Sequence, residues 1–261
     1  LSFEEIGSAA LLSRAIAGVA DGKAVFFNES GEGARQNPAT YYRKTDGSPA
    51  KKLGDANWPK RSPDGSSVLA VSPASDALVI LPVGPGEVHH LPLPGYSVSF
   101  PAWLPGARTV LFTGNQAGHG IRLYAMDLEG GKPRPLTPEG IAATFIVSPS
   151  GAFAAVVDAK HQVLLYPLAG GDPVVCPGIE PGEIPQDWSA EETWLYVMKR
   201  GILPGRVYRV NWQTGRRELW KEIMPPDPSG ITVIARVAIT PDGRSYAYSC
   251  LLYTSPSPRD R

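Results

Sequence analysis

The chain has 261 residues, with 25 Lys and Arg against 25 Asp and Glu, so its formal net charge is zero. That balance excludes the basic surface typical of nucleic-acid-binding proteins, and no nucleic-acid partner is expected. No apolar run approaches the roughly 20 residues that a membrane helix needs, so no membrane insertion is expected. The 28 Gly and 27 Pro beside 43% hydrophobic residues predict a packed protein of many short strands and turns.

One turn followed by a strand recurs six times along the chain. The best copies read Ser-Pro-Asp-Gly or Thr-Pro-Asp-Gly before an alternating apolar run. Pro presets the first corner of a tight turn, Asp bonds the backbone ahead of it, and Gly accepts a positive φ. In chain order the Gly slot falls at Gly22, Gly65, Ala107, Gly151, Glu192 and Gly243. The spacing of 41 to 51 residues indicates a repeat architecture.

Two copies of the turn lack glycine in this slot, namely those at Ala107 and Glu192. A residue with a Cβ atom pays roughly 1–2 kcal/mol in the left-handed conformation. We therefore expect these two turns to take another shape.

A second turn follows each of the first five, 20 to 25 residues further on, between a strand-like run and a shorter one. These turns lie at residues 44–49, 83–88, 128–133, 168–173 and 212–217. Every complete period thus supplies four strands, which at about 40–45 residues is typical of a propeller blade. Trp103 and Trp188 both lie four residues before the glycine slot, and Phe145 lies near that position in its own copy. These aromatic residues are expected to pack between blades, and a binding role is the alternative.

We predict an all-β fold, a β-propeller of about six four-stranded blades with the sixth truncated. Residues 1–249 form a single propeller domain, incomplete at both ends, because the chain begins at Leu1 and the sixth unit stops after the strands Thr232–Ile239 and Arg244–Ser249. The segment Leu1–Gly7 is a candidate strand for closing the ring.

Residues 250–261 break the preceding alternation without any turn chemistry. They resemble a translated sequencing adapter at the end of a metagenomic gene fragment, so we interpret them as non-native; a natural Ser/Pro tail is the alternative. Under this hypothesis Cys250 is not native, and Cys176 stands alone as a small buried hydrophobic residue.

The repeat resembles the TolB-like, WD40-like β-propeller repeats of bacteria, through the turns Ser62–Gly65 and Thr240–Gly243 and the segment Arg122–Gly140. The segment Arg206–Gly230 is similar to propellers that follow bacterial serine/threonine protein kinases. The resemblance implies a non-catalytic protein- or ligand-binding scaffold, such as the C-terminal sensor domain of a kinase, and favours an extracytoplasmic location. Two alternatives stay open: the propeller cap of a prolyl-oligopeptidase-like serine peptidase, and a free-standing TolB-like periplasmic interaction protein.

Strand order places the short turns on one face of the ring and the longer, chemically varied loops on the opposite face. We call the second one the long-loop face, and we expect a protein or small ligand to bind there because rigid scaffolds present function on such loops. For each candidate the alternative is an ordinary solvated residue. The candidates are Glu29, Glu32, Arg35, Asn115, His119, Lys199 and Arg200.

Motifs for catalysis and cofactors are missing from the sequence. It contains no Gly-x-Ser-x-Gly, His-Arg-Asp or Asp-Phe-Gly motif, and Gly31-x-Gly33 lacks the third glycine of a dinucleotide fingerprint. His89 and His90 are adjacent on a predicted strand and would point to opposite faces of the sheet. We expect no catalytic residue, no metal site and no cofactor in this chain.

Overall fold

The computed structural model describes residues 13–20, 23–30 and 37–252. These residues form 22 strands in six antiparallel sheets, five with four strands and one with two. Within each sheet the strands follow one another in chain order, so each sheet is a meander and each period of the sequence is one blade. Among the described residues, no helix is long and apolar enough to cross a membrane.

The blades have the following strands. Blade 1 has β1 (Ser13–Ala20), β2 (Ala24–Ser30), β3 (Ala39–Lys44) and β4 (Lys51–Gly54). Blade 2 has β5 (Asn57–Arg61), β6 (Ser67–Val71), β7 (Ala77–Pro82) and β8 (His89–Pro92). Blade 3 has β9 (Tyr96–Trp103), β10 (Thr109–Gln116), β11 (Arg122–Asp127) and β12 (Arg134–Pro135). Blade 4 has β13 (Phe145–Val147), β14 (Phe153–Val157), β15 (Val163–Pro167) and β16 (Val174–Val175). Blade 5 has β17 (Glu183–Trp188), β18 (Trp194–Lys199), β19 (Gly205–Asn211) and β20 (Arg217–Ile223). Blade 6 has β21 (Ile231–Ile239) and β22 (Tyr246–Leu252).

The predicted fold class is confirmed, and within the described residues the sixth blade has two strands. β22 continues through Cys250 and Leu251, which pair with Ile234 and Val233. The predicted origin of residues 250–261 stays a prediction, and residues 253–261 lie outside the described part of the chain, as does the candidate closing segment Leu1–Gly7.

The core lies between the blades, in six apolar clusters that each join two neighbouring sheets. This arrangement explains why the second strand of a blade is a continuous apolar run: β6 is buried on both flanks, and residues 68–71 are all 0% exposed. Each cluster contains residues of two neighbouring blades. In order from the interface of blades 1 and 2 to that of blades 6 and 1, two members of each cluster are Phe26 and Val79, Leu69 and Phe112, Leu111 and Val156, Leu165 and Val197, Met198 and Val237, and Phe27 and Ala247.

The ring closes directly between its first and last blades, since β1 contacts both β21 and β22. The predicted inter-blade role of the matching aromatic residues is confirmed. Trp188 lies in the cluster between blades 4 and 5, and Phe145 lies in the one between blades 3 and 4. The indole Nε1 of Trp103 donates across the blade 2/3 interface to the carbonyl of Lys60, at 3.1 Å.

The turns confirm the role of Pro-Asp-Gly but correct the expectation for its degraded copies. In the best copy the amide of Gly65 donates to the carbonyl of Ser62, and the Asp64 carboxylate accepts from the Ser66 amide. Ala107 and Glu192 make the same backbone hydrogen bond and have φ of 55° and 56°. The prediction that these two turns differ is wrong, because the packed strands on either side impose the same left-handed corner.

Candidate functional site

The innermost strands of the six blades surround a central channel. β1, β5, β9, β13, β17 and β21 contact one another in cyclic order, so their edges face a common axis. Pairing is irregular in all of them except β13, with a bulge or register shift in each. At two of these irregularities Trp58 and Phe100 have positive φ, 52° and 39°, and their rings lie 4.9 Å apart. Bulges re-aim side chains, and in this ring they do so around the channel.

A charged cluster lies in this channel, formed by Lys60 of β5, Asp187 of β17 and Arg236 of β21. Blades 2 and 5 lie on opposite sides of a six-bladed ring, so Lys60 and Asp187 interact across its axis. Burial lowers the pKa of Lys60 to about 7, assisted by the neighbouring charge of Arg236. Burial also raises the pKa of Asp187, and the positive charge of Arg236 opposes this shift. Burial lowers the pKa of Arg236, and the negative charge of Asp187 opposes that shift.

Hydrogen bonds between β17 and β21 hold this cluster in place. The Asp187 carboxylate accepts from the Ile239 amide at 3.2 Å, and the Gln186 side-chain oxygen accepts from the Val237 amide at 3.0 Å. Arg236 Nη2 donates to the Gln186 carbonyl at 3.4 Å. Arg236 Nε is buried and has no hydrogen-bond partner among the described residues. The Nε–H donor of Arg236 is therefore unsatisfied within the described structure.

Our sequence reasoning missed this cluster, although the repeat carried a signal. Lys60 and Asp187 each lie five residues before the glycine slot of their turn, and Ala102, Ile146 and Ala238 occupy that position in other copies. A charged residue at an otherwise apolar position of a repeat indicates a local function, and the comparison of copies reveals it without knowledge of the ring.

The described candidates on the long-loop face lie at corresponding ends of the second strands. Glu29 is at the end of β2, Asn115 at the end of β10 and Lys199 at the end of β18. His119 lies in the loop that follows β10. Glu32 and Arg35 belong to a segment outside the described residues.

Arg200 is the candidate that connects this face to the channel. It follows β18 directly, and its charge contributes to the lowered pKa of Arg236, which places the two guanidinium groups near each other. The pKa of Arg200 is itself lowered by burial. Because Arg200 as a whole is exposed, we place it at the rim of the channel rather than inside it.

His119 takes part in a clamp within blade 3, and its side chain remains 59% exposed. The Glu139 carboxylate accepts from the Gly120 amide at 2.9 Å, from His119 Nδ1 at 2.9 Å and from Arg122 Nη2 at 2.8 Å. These three donors lower the pKa of Glu139 to about 2. The clamp fastens the β10–β11 loop to the segment that leads into blade 4, so its first role is to shape the long-loop face.

The chemistry of other reactive groups is limited in the described part of the chain. No group of three or more His, Cys, Asp or Glu side chains there could hold a metal ion. Cys176 is buried between blades 4 and 5, as predicted, and burial raises the pKa of its thiol to about 12. This cysteine is therefore a protonated core residue.

Comparison with known proteins identifies the fold. No protein-family model and no curated protein matches the chain. Among solved structures, TolB from Acinetobacter baumannii is similar with a TM-score of 0.61 and 18% identity over 82% of this chain and 60% of that one. Oligogalacturonate lyase from Vibrio parahaemolyticus has a TM-score of 0.63 and 13% identity, over 90% of this chain and 71% of that one.

A puromycin-hydrolyzing peptidase from Mycobacterium tuberculosis is also similar, with a TM-score of 0.61 and 18% identity. The alignment covers 91% of this chain but 43% of the peptidase. The chain thus spans about 60% of the length of the TolB structure and less than half of the peptidase. At these identities the likeness concerns the fold alone, and the chain has a TolB-like β-propeller fold.

Proposed function

We propose that this chain is a non-catalytic binding propeller that holds a protein or small-molecule partner on its long-loop face. The observation that carries this proposal is the placement of Asn115, Lys199 and Arg200 at corresponding ends of strands in a rigid ring. The strands themselves are fixed by the inter-blade clusters, so the loops contribute little to the core. Loops presented in this way are the usual binding elements of rigid β scaffolds.

Within this proposal, the chain acts as the sensor or interaction domain of a larger bacterial protein such as a serine/threonine kinase, on the extracytoplasmic side. The support for the kinase context is the resemblance of Arg206–Gly230 to kinase-associated propellers. The TolB-like fold is compatible with an extracytoplasmic scaffold.

A binding experiment with matched variants tests the role of the face. The variant Asn115→Ala/Lys199→Ala alters the long-loop face, and Glu129→Ala/Lys132→Ala alters the exposed β11–β12 turn on the opposite face. Both proteins would be immobilised and exposed to an envelope extract of a source bacterium. We expect a specifically retained partner to be lost from the first variant and kept by the second. Equal retention by both variants would contradict a binding role for the long-loop face.

A second candidate function is the propeller cap of a serine peptidase. Its support is the similarity to the puromycin-hydrolyzing peptidase, which is aligned over 91% of this chain. The intact gene distinguishes the possibilities. A kinase domain before the propeller supports the sensor, and a hydrolase domain after it supports the cap. A secretory signal directly before the propeller, with no further domain, supports a free-standing TolB-like interaction protein.

A further inference from the structure

We propose that the central channel binds a compact oxyanion, a carboxylate or a phosphate group of a ligand, between Lys60 of β5 and Arg236 of β21, with Arg200 at its mouth. This site adjoins the loop surface proposed above at Arg200, but Lys60, Asp187 and Arg236 come from the inner strands. It does not depend on Asn115 or Lys199.

The described channel residues carry more basic than acidic groups. Lys60, Arg200 and Arg236 are three basic groups, and Asp187 is the one acidic group that interacts with Lys60 and Arg236. Buried charges in proteins are paired with opposite charges or with a bound ion. Among the described residues, one carboxylate thus faces the two basic groups Lys60 and Arg236, with the exposed Arg200 near Arg236, so basic groups outnumber acidic ones in this part of the channel.

The guanidinium group of Arg236 is only partly hydrogen-bonded within the described structure. Its Nη2 atom donates a hydrogen bond to the Gln186 carbonyl, whereas its Nε atom is buried without a hydrogen-bond partner in the described structure. A buried guanidinium donor without an acceptor is costly, and a carboxylate or phosphate oxygen satisfies it well. The ligand thus supplies both the missing charge and the missing acceptor.

The basic groups come from different blades. Lys60 belongs to blade 2, Arg200 to blade 5 and Arg236 to blade 6, so the ring itself holds them at a fixed separation. An anion placed between them gains attraction from several sides without requiring the blades to move. A preorganised group of donors of this kind loses little entropy on binding.

The ionisation of Lys60 adds a dependence on pH. Without a ligand its pKa is about 7, because burial and the positive charge of Arg236 lower it, while the charge of Asp187 acts in the opposite direction. An anion favours the ammonium form, so binding is coupled to proton uptake, and affinity falls as the pH rises through 7. This dependence can be measured on the unaltered protein with acetate, which stays ionised between about pH 6 and about pH 8.

The test is isothermal titration calorimetry with inorganic phosphate and, in a separate arm, with acetate, at an ionic strength held constant with chloride. The arm that binds more tightly identifies the oxyanion. We expect Arg236→Gln and Lys60→Met to weaken binding about tenfold each, through loss of a charge-assisted hydrogen bond. We expect Asp187→Asn to strengthen binding, because it removes the opposing charge and keeps a side-chain oxygen for the Ile239 amide.

If these residues only maintained the structure, every substitution would weaken binding. Weaker binding in Arg236→Gln and Lys60→Met together with stronger binding in Asp187→Asn therefore indicates a ligand site. Arg244→Gln is the matched control, since Arg244 is 87% exposed on the β21–β22 turn, and it should leave the affinity unchanged. If a channel variant fails to fold, the pH dependence of acetate binding by the unaltered protein decides the question. Absence of binding in both arms, equal affinity at the two pH values, or weakening by Asp187→Asn would overturn the proposal.

Discussion

At the residue scale, burial decides which ion pairs of this chain matter. Glu183, at the start of β17, is 2% exposed, and it accepts two hydrogen bonds from Arg217 at 2.7 and 2.6 Å. The Arg217 guanidinium also lies over the Tyr208 ring, 3.7 Å from its centroid. By contrast, the Arg206–Glu222 pair has both side chains about half exposed, and water competes for its charges. The two pairs join the same residue types but differ in energetic consequence.

The variant Arg217→Ala should lower the free energy of unfolding by about 3–5 kcal/mol, because it leaves the Glu183 carboxylate buried without its cation. Arg206→Ala is the control and should cost about 0–1 kcal/mol. Urea unfolding followed by tryptophan fluorescence measures both values. Similar losses for the two variants would contradict a special role for burial at Glu183.

The Glu139 clamp makes the stability of the loop face depend on acidity. Because the folded-state pKa is lowered to about 2, the carboxylate contributes stability above its unfolded pKa of about 4.3, and this contribution is lost as the pH falls through the folded value. We expect Glu139→Gln to reduce the acid sensitivity of the urea midpoint between about pH 5 and about pH 2. The exposed residue Glu129 provides the control variant Glu129→Gln, and an unchanged acid profile in Glu139→Gln would argue against the clamp.

At the element scale, the repeated turn shows how neighbouring structure overrides local preference. Ala107 adopts φ of 55° although it has a Cβ atom, and so does Glu192 with φ of 56°. Glu192 is compensated by bonds between blades 4 and 5: its carboxylate accepts from the amide and hydroxyl of Ser150. Its carbonyl also accepts from the Trp212 indole at 2.8 Å. No comparable side-chain bond is available to an alanine.

The variants Ala107→Gly and Glu192→Gly should therefore have opposite effects. Ala107→Gly removes the strain of a left-handed alanine, but it also gives the unfolded chain more conformational freedom. The first effect is larger, so the variant should be more stable by about 1 kcal/mol. Glu192→Gly loses the Ser150 contacts and should be less stable than the parent. Thermal unfolding of both proteins provides the measurement, and a destabilised Ala107→Gly would contradict the strain argument.

At the scale of the whole molecule, the sixth blade differs from the other five. Within the described structure β22 pairs with β21 alone, whereas the second strands of the other blades lie between two partners. Tyr246, Tyr248 and Cys250 are accordingly only partly buried, and Leu251 is 40% exposed. The ring nevertheless closes through the cluster of Val25, Phe27, Ala238 and Ala247. Among the described residues the inter-blade clusters thus run around the whole ring, and no third strand pairs with β22.

An edge of this kind pairs with other chains, so the protein should associate in a concentration-dependent way. Leu251→Lys places a charge on the exposed side of the edge strand and should shift the equilibrium towards monomer. Sedimentation velocity over a range of concentrations provides the comparison, with Val88→Lys on an exposed turn as the control. A parent protein that sediments as a monomer at every concentration would contradict edge pairing.

The sequence by itself determined the all-β class, the number of blades, the four-strand plan and the two-stranded sixth unit. These features depend on local chemistry: Pro-Asp-Gly corners such as Ser62–Gly65, and apolar runs such as residues 68–71, recur at a steady interval. The same reasoning located the long-loop face, because antiparallel order alone assigns each connection to one side of the ring.

Only the tertiary structure decided the left-handed corners at Ala107 and Glu192, the Glu183–Arg217 pair and the channel cluster. Lys60 and Asp187 are 127 residues apart in the sequence; the repeat marks each as a charged residue at an otherwise apolar position, but it does not show that the two interact. They interact because closing the ring brings opposite blades to one axis. Charge, burial and missing hydrogen-bond partners are properties of that shared space rather than of either strand.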